Sequence, residues 1–162
     1  MDRKHTSRTG TRGLRAALAA ALALLVFAAV ALAVPPETGR YVGNTSQKKP
    51  VSIRVNDNGR IKRFNIDWQA PCEKPGSKWV AGTRDVDGPG DRIAQDDGVF
   101  SDFGKYTQKS GPYKGHFRVT IKGEFTTATH AEGTFKAKVR VTRDGDTVDH
   151  CEKLIRWKVN PQ

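Results

Sequence analysis

The stretch "VSIRVNDNGRIKRFNIDW", Val51 to Trp68, decides the fold class. Val51, Ile53 and Val55 alternate with polar residues, and so do Phe64, Ile66 and Trp68 beyond Asn58-Gly59. Such period-two alternation places each apolar set on one face of a β-strand. The Asn-Gly pair suits the positive φ angles of a two-residue type I′ hairpin turn. With a loop at 58–59, Ile53 lies opposite Phe64 and Val51 opposite Ile66, so the two apolar faces agree.

The same period runs through the C-terminal half. "HFRVTIKGEF" sets Phe117, Val119, Ile121 and Phe125 against His116, Arg118, Thr120, Lys122 and Glu124. "GTFKAKVRV" places Phe135, Ala137, Val139 and Val141 inward and Lys136, Lys138 and Arg140 outward. "CEKLIRWKV" aligns Cys151, Ile155, Trp157 and Val159, and its exception, Lys153, suggests a sheet edge. "GRYVGNT" (Gly39–Thr45), "KWVAG" (Lys78–Gly82) and a segment near Val99–Tyr106 carry fainter strand patterns. No window shows an apolar stripe of helical period after the first 34 residues. The expectation is an all-β fold, an antiparallel β-sandwich or flattened up-and-down barrel of about 7–9 strands, with one disulfide, preceded by an N-terminal hydrophobic helix.

That helix comes from "AALAAALALLVFAAVALAV", Ala16 to Val34, which follows a flank bearing Arg3, Lys4, Arg8, Arg12 and Arg15. A basic flank, an apolar run and Ala31-Leu32-Ala33 form the layout of a secretory signal peptide. The competing reading is a retained membrane anchor, because about 18 apolar residues can cross a bilayer. The expected organisation is therefore 1–33 as signal peptide or anchor and 34–162 as a single all-β domain, secreted or at the cell envelope. The whole chain holds 28 Lys and Arg against 17 Asp and Glu. Five of those bases and one acid precede residue 34, so the domain keeps a net charge of +7. Cys72 and Cys151, the two cysteines of the chain, most simply form one disulfide in an exported protein.

The Ala-rich leader, the opening "GRYVGNTSQ", Cys72 and the closing Cys151-x5-Trp157 resemble small, largely uncharacterised exported all-β proteins of high-GC Gram-positive (actinobacterial) type. That resemblance implies a fold type and a location, and no activity. "TGRYVGNTSQKKPVSIRVNDNGRI" is also similar in rhythm to the first hairpin of avidin-like and lipocalin-like barrels, over two strands only. The ligand residues of those families do not map onto this chain.

Candidate chemistry is sparse. The chain has no Gly-x-Ser-x-Gly elbow, and a disulfide leaves no thiolate nucleophile. His116, His130 and His150 are not at metal-ligand spacing. "RDGDTVDHCEKLIRW" (Arg143–Trp157) crowds Asp144, Asp146, Asp149, His150 and Glu152 around Cys151, but period two separates them. A three-residue loop at 144–146 sets Cys151 opposite Val139 and Ile155 opposite Phe135. A two-residue loop inverts that register, which predicts a bulge or a left-handed Gly145. Asp85, Asp87, Asp91 and Asp96 occupy positions 1, 3, 7 and 12 of a calcium-loop count. Pro89 at position 5 and the missing flanking helices favour a plain acidic loop, so no metal or cofactor is expected.

Charge placement is the more promising signal. If the three C-terminal strands are neighbours, Arg118, Lys122, Lys136, Lys138, Arg140, Arg156 and Lys158 share one face with Glu124 and Glu152. Such a face suits an anionic cell-wall polymer or polysaccharide. The competing view is solubility together with Lys protection of strand edges. With no aromatic residue expected among these cations, base stacking and hence nucleic acid are disfavoured; a membrane would be met only through an uncleaved N-terminal segment. A barrel binding a small hydrophobic ligand, its mouth lined by Tyr41, Trp79, Phe100, Phe103, Tyr106 and Tyr113, and an undetected hydrolase are the alternatives. The expectation is a non-enzymatic binding or structural module.

Overall fold

The computed structural model describes residues 35–84, 93–96 and 98–162, so the N-terminal hydrophobic segment lies outside the described residues. The described residues belong to one compact unit. Among the described residues there are nine strands: β1 (Gly39–Thr45), β2 (Pro50–Val55), β3 (Ile61–Pro71), β4 (Lys78–Thr83), β5 (Ala94–Asp96), β6 (Val99–Ser110), β7 (Tyr113–Thr127), β8 (His130–Arg143) and β9 (Asp146–Pro161). All belong to one antiparallel sheet, in the order β4-β3-β2-β1-β9-β8-β7-β6-β5, curled into a half-barrel. Every sequential pair is hydrogen-bonded except β4 and β5, and β1 pairs with β9.

Both hairpins expected from the sequence keep their register, and both place the irregularity differently. Val51 pairs with Ile66 and Ile53 with Phe64. The turn, however, is Asn56–Gly59 closed by the Gly59 amide on the Asn56 carbonyl, not a type I′ pair at 58–59. Gly59 has φ 68°, whereas Asn58 stays outside the positive-φ region. The Asn56 carboxamide accepts from the amides of Asn58 and Arg60, which holds the longer turn, and a bulge beside Arg54 and Val55 restores the pairing. At the other hairpin Cys151 lies opposite Val139 and Ile155 opposite Phe135. Its loop is two residues, Asp144 and Gly145, at φ 52° and 98°. The register survives through a bulge next to Val141 and Thr142.

The concave side of the sheet is the core. Phe64, Ile66, Trp68, Phe135 and Ile155 are wholly buried there. Aromatic edges interlock, with Trp68 against Phe117 and Phe135, and Phe64 against Trp157. One row across the sheet reads Phe100, Gly123, Gly133, Trp157. The Phe100 and Trp157 rings lean over the two glycines, their centroids 5.8 Å apart. A Cβ on Gly123 would come within 2.6 Å of Trp157 and 2.5 Å of Phe100, so glycine is needed for that close approach.

The open seam between β4 and β6 is bridged by side chains. Thr83 and Tyr106 share a hydroxyl hydrogen bond of 2.9 Å, and Trp79 meets Phe117 edge-on. The Gln95 side chain of β5 grips the β2–β3 turn through the Gly59 carbonyl and the Ile61 amide. A second gap opens where β1 ends opposite Trp157 and leaves the first half of β9 without that neighbour. Lys153 lies in this unpartnered stretch, which explains its exposure. The Cys72–Cys151 disulfide staples the gap. Beside it the Glu73 amide donates to the His150 carbonyl, and Asp149 accepts from the Lys74 amide and the Ser77 hydroxyl. A formed disulfide fits an oxidising, extracytoplasmic setting.

Candidate anion-binding face

The long strands β6 to β9 turn their polar positions outward, and registration converts four sequence patterns into a lattice. Reading from β6 to β9, one row is Ser101, Lys122, Thr134, Arg156 and the next Phe103, Thr120, Lys136, Leu154. Below them lie Lys105, Arg118, Lys138, Glu152 and then Thr107, His116, Arg140, His150. Beyond the first row, Glu124, Glu132 and Lys158 continue the pattern. Neighbours across strands are about 4.8 Å apart and alternate residues along a strand about 6.8 Å apart. All seven cations expected on this face are there, and all are exposed.

Neutralisation is uneven. Glu152 reaches Lys136 at 2.8 Å and Lys138 at 3.1 Å, and hydrogen bonds from those two ammonium groups lower its pKa. Among the described residues no carboxylate lies within ion-pair distance of Arg118, Lys122, Arg140, Arg156 or Lys158. Arg118 stands directly opposite Lys138, and Lys109 opposite Lys114. Like charges in that position oppose sheet formation. Partial burial, and then the charges of Arg140 and Lys114, push the His116 pKa down.

Edge protection does not account for this charge. β7 and β8, which carry Arg118, Lys122, Lys136, Lys138 and Arg140, are interior strands paired on both sides. Two residues of this face are placed by strand pairing and not by sequence pattern. Lys105 extends the lattice onto β6, and Phe103 is an aromatic residue among the cations, 54% exposed, with the Lys105 ammonium 5.4 Å from its ring centroid. Its presence corrects the expectation that the cations lack aromatic company.

The other candidates fare differently. Asp85, Asp87 and Asp91 of the calcium-loop count lie outside the described residues, and the Asp96 backbone belongs to β5, paired with Val99. Among the described residues no group of three or more His, Cys, Asp and Glu is placed to hold a metal ion. The six aromatic residues expected at a cavity mouth do not gather. Tyr41, Trp79 and Phe100 are core residues, Tyr106 stacks on Phe117 at 4.5 Å, and Phe103 and Tyr113 are exposed. Compared with known protein families, curated proteins and solved structures, the chain shows no match.

Proposed function

We propose that this chain is an exported, non-enzymatic binding module of the cell envelope that engages an anionic polymer or surface through the outer face of β6 to β9. In this reading residues 1–33 direct export, and the sheet is a flattened up-and-down barrel left open between β4 and β5. The observation that carries the proposal is the concentration of unpaired cations on interior strands, where directly opposed like charges cost stability. A sequence under pressure only for solubility gains nothing from gathering Arg118, Lys122 and Arg140 on interior strands without a carboxylate partner among the described residues, because dispersed charge serves equally well. An external polyanion converts that repulsion into attraction. Cations repeating at about 5–7 Å also match a chain carrying one charge per monomer better than a single small ion. Retention on a polyanionic column at low ionic strength, collapsing as salt rises, is the expected behaviour. Passage through that column unretained at low salt would overturn the proposal.

A further inference from the structure

The lattice is not uniform, and a groove lies at one end. That groove crosses the outer face over the Lys105 and His116 rows, encloses about 930 Å³, and is lined by Lys105, His116, Arg118, Lys138, Arg140 and His150 among others. Pro71, Cys72 and Glu73 close its far side. The Cys72–Cys151 disulfide brings that wall against β9, so the staple that closes the gap in the sheet also shapes the groove.

Within the groove the four residues His116, Arg118, Lys138 and Arg140 form one cell of the lattice. His116 is opposite Arg140, and Arg118 is opposite Lys138. Lys105 faces Arg118 from β6. Lys138 already shares Glu152, whereas neither guanidinium has a carboxylate partner among the described residues. Two arginines around one point can each offer paired N–H donors, which suits a tetrahedral oxyanion with several oxygens better than a planar carboxylate.

We propose that this cell is the primary subsite for a phosphate- or sulfate-type group of the polyanion, gripped by Arg118 and Arg140, and that protonation of His116 strengthens the grip. The inference rests on the function proposed above and adds the chemistry of the bound group and a pH dependence. His116 stands opposite Thr107 on β6 and Arg140 on β8, with Lys105 and Lys109 on β6, Lys114 and Arg118 on β7, and Lys138 and Thr142 on β8 at the adjacent positions of the same face; His150 lies beyond Arg140 on β9. Its Nε2 lies 3.3 Å from the Thr142 hydroxyl oxygen. Glu73 and Glu152, which also line the groove, are engaged elsewhere, Glu73 3.7 Å from His150 and Glu152 on Lys138. Free, the imidazole faces cations that disfavour its charge; an oxyanion in the cell reverses that balance. Binding therefore raises the His116 pKa, and each unit of rise corresponds to about tenfold tighter binding below the free value. The gain is present at low pH and disappears as pH rises through the raised value.

Dextran sulfate is the probe, because its sulfate esters do not titrate between pH 5 and 8. Affinity is measured by calorimetry at pH 5.5 and 7.5 for the purified protein, for R118Q/R140Q, for K122Q/R156Q and for H116Q, with folding checked by circular dichroism. The expected result is tighter binding at pH 5.5, at least fivefold weaker binding by R118Q/R140Q than by K122Q/R156Q, and a pH dependence abolished in H116Q. Polygalacturonate, a carboxylate polymer, is expected to bind more weakly at equal charge. Equal losses in the two double variants, a pH dependence that survives H116Q, or tighter binding of polygalacturonate overturns the subsite while leaving the polyanion reading intact. No binding of either polymer at low salt overturns both.

Discussion

Replacing both Cys72 and Cys151 with alanine tests the staple most cleanly. The bond joins positions 79 residues apart. Loop-closure entropy for that span gives a stabilisation of roughly 4.5 kcal/mol at 25 °C, exerted on the unfolded chain. The native seam keeps other ties, namely the Glu73 amide on the His150 carbonyl and Asp149 on Ser77 and Lys74. The folded structure should therefore persist while the balance with the unfolded ensemble shifts. Trp68, Trp79 and Trp157 are all buried and report unfolding by fluorescence. With a urea slope of about 2 kcal/mol/M, the midpoint should fall by about 2 M. The slope itself should rise, because an uncrosslinked chain exposes more surface. A midpoint shift under about 0.5 M with an unchanged slope would refute the entropic account. The unfolded chain would then be held compact by something other than the disulfide.

Three further outcomes follow from single residues. Gly133→Ala drives a methyl into the Lys122 carbonyl and to 2.7 Å from the Trp157 ring, and overpacking of this kind costs about 1–3 kcal/mol in a urea unfolding experiment; a neutral effect would contradict the ring-over-glycine packing. Glu152→Gln removes the anion that occupies Lys136 and Lys138, so a higher salt concentration should be needed to elute the protein from a polyanionic column; unchanged elution would show those lysines are not used. At Asp149 burial raises the pKa, but hydrogen bonds from Ser77 and from the amides of Lys74, His150 and Glu73 outweigh it and leave the value lowered. Its folded pKa thus lies below the unfolded one, so its contribution to stability is present above the usual aspartate value and fades as pH falls through the folded one. Asp149→Asn should flatten that part of the acid-unfolding curve, and an identical curve would exclude the linkage.

How far the sequence discloses this molecule depends on which face of a strand is informative. β2, β3, β7, β8 and the second half of β9 alternate cleanly, so their inward residues and pairing partners can be read by parity alone. β6 cannot be read in this way. Its inward positions include Asp102 and Gly104 while Phe103 points outward, which inverts the expected pattern. Its length, and with it the place of Lys105 on the cationic face, follows only from pairing with β7. Turn geometry was partly legible: the need for a compensating irregularity near Gly145 follows from register, but its position at Val141 and Thr142 does not. The Asn56 carboxamide likewise overrode the Asn-Gly preference by binding two backbone amides of a longer turn. The groove lay beyond sequence reasoning, because it joins four strands to a wall delivered by a disulfide.

The central claim is that the outer face of β6 to β9, not the net charge of the domain, engages polyanions. A two-dimensional NMR titration of the amide-labelled protein with dextran sulfate tests this directly, since basic residues also occur elsewhere, such as the Arg54–Arg63 pair on β2 and β3. The account predicts saturable shifts confined to outward positions of β6 to β9, largest at His116, Arg118, Lys138 and Arg140. Shifts spread evenly over all basic residues, or centred on β2 and β3, would contradict it.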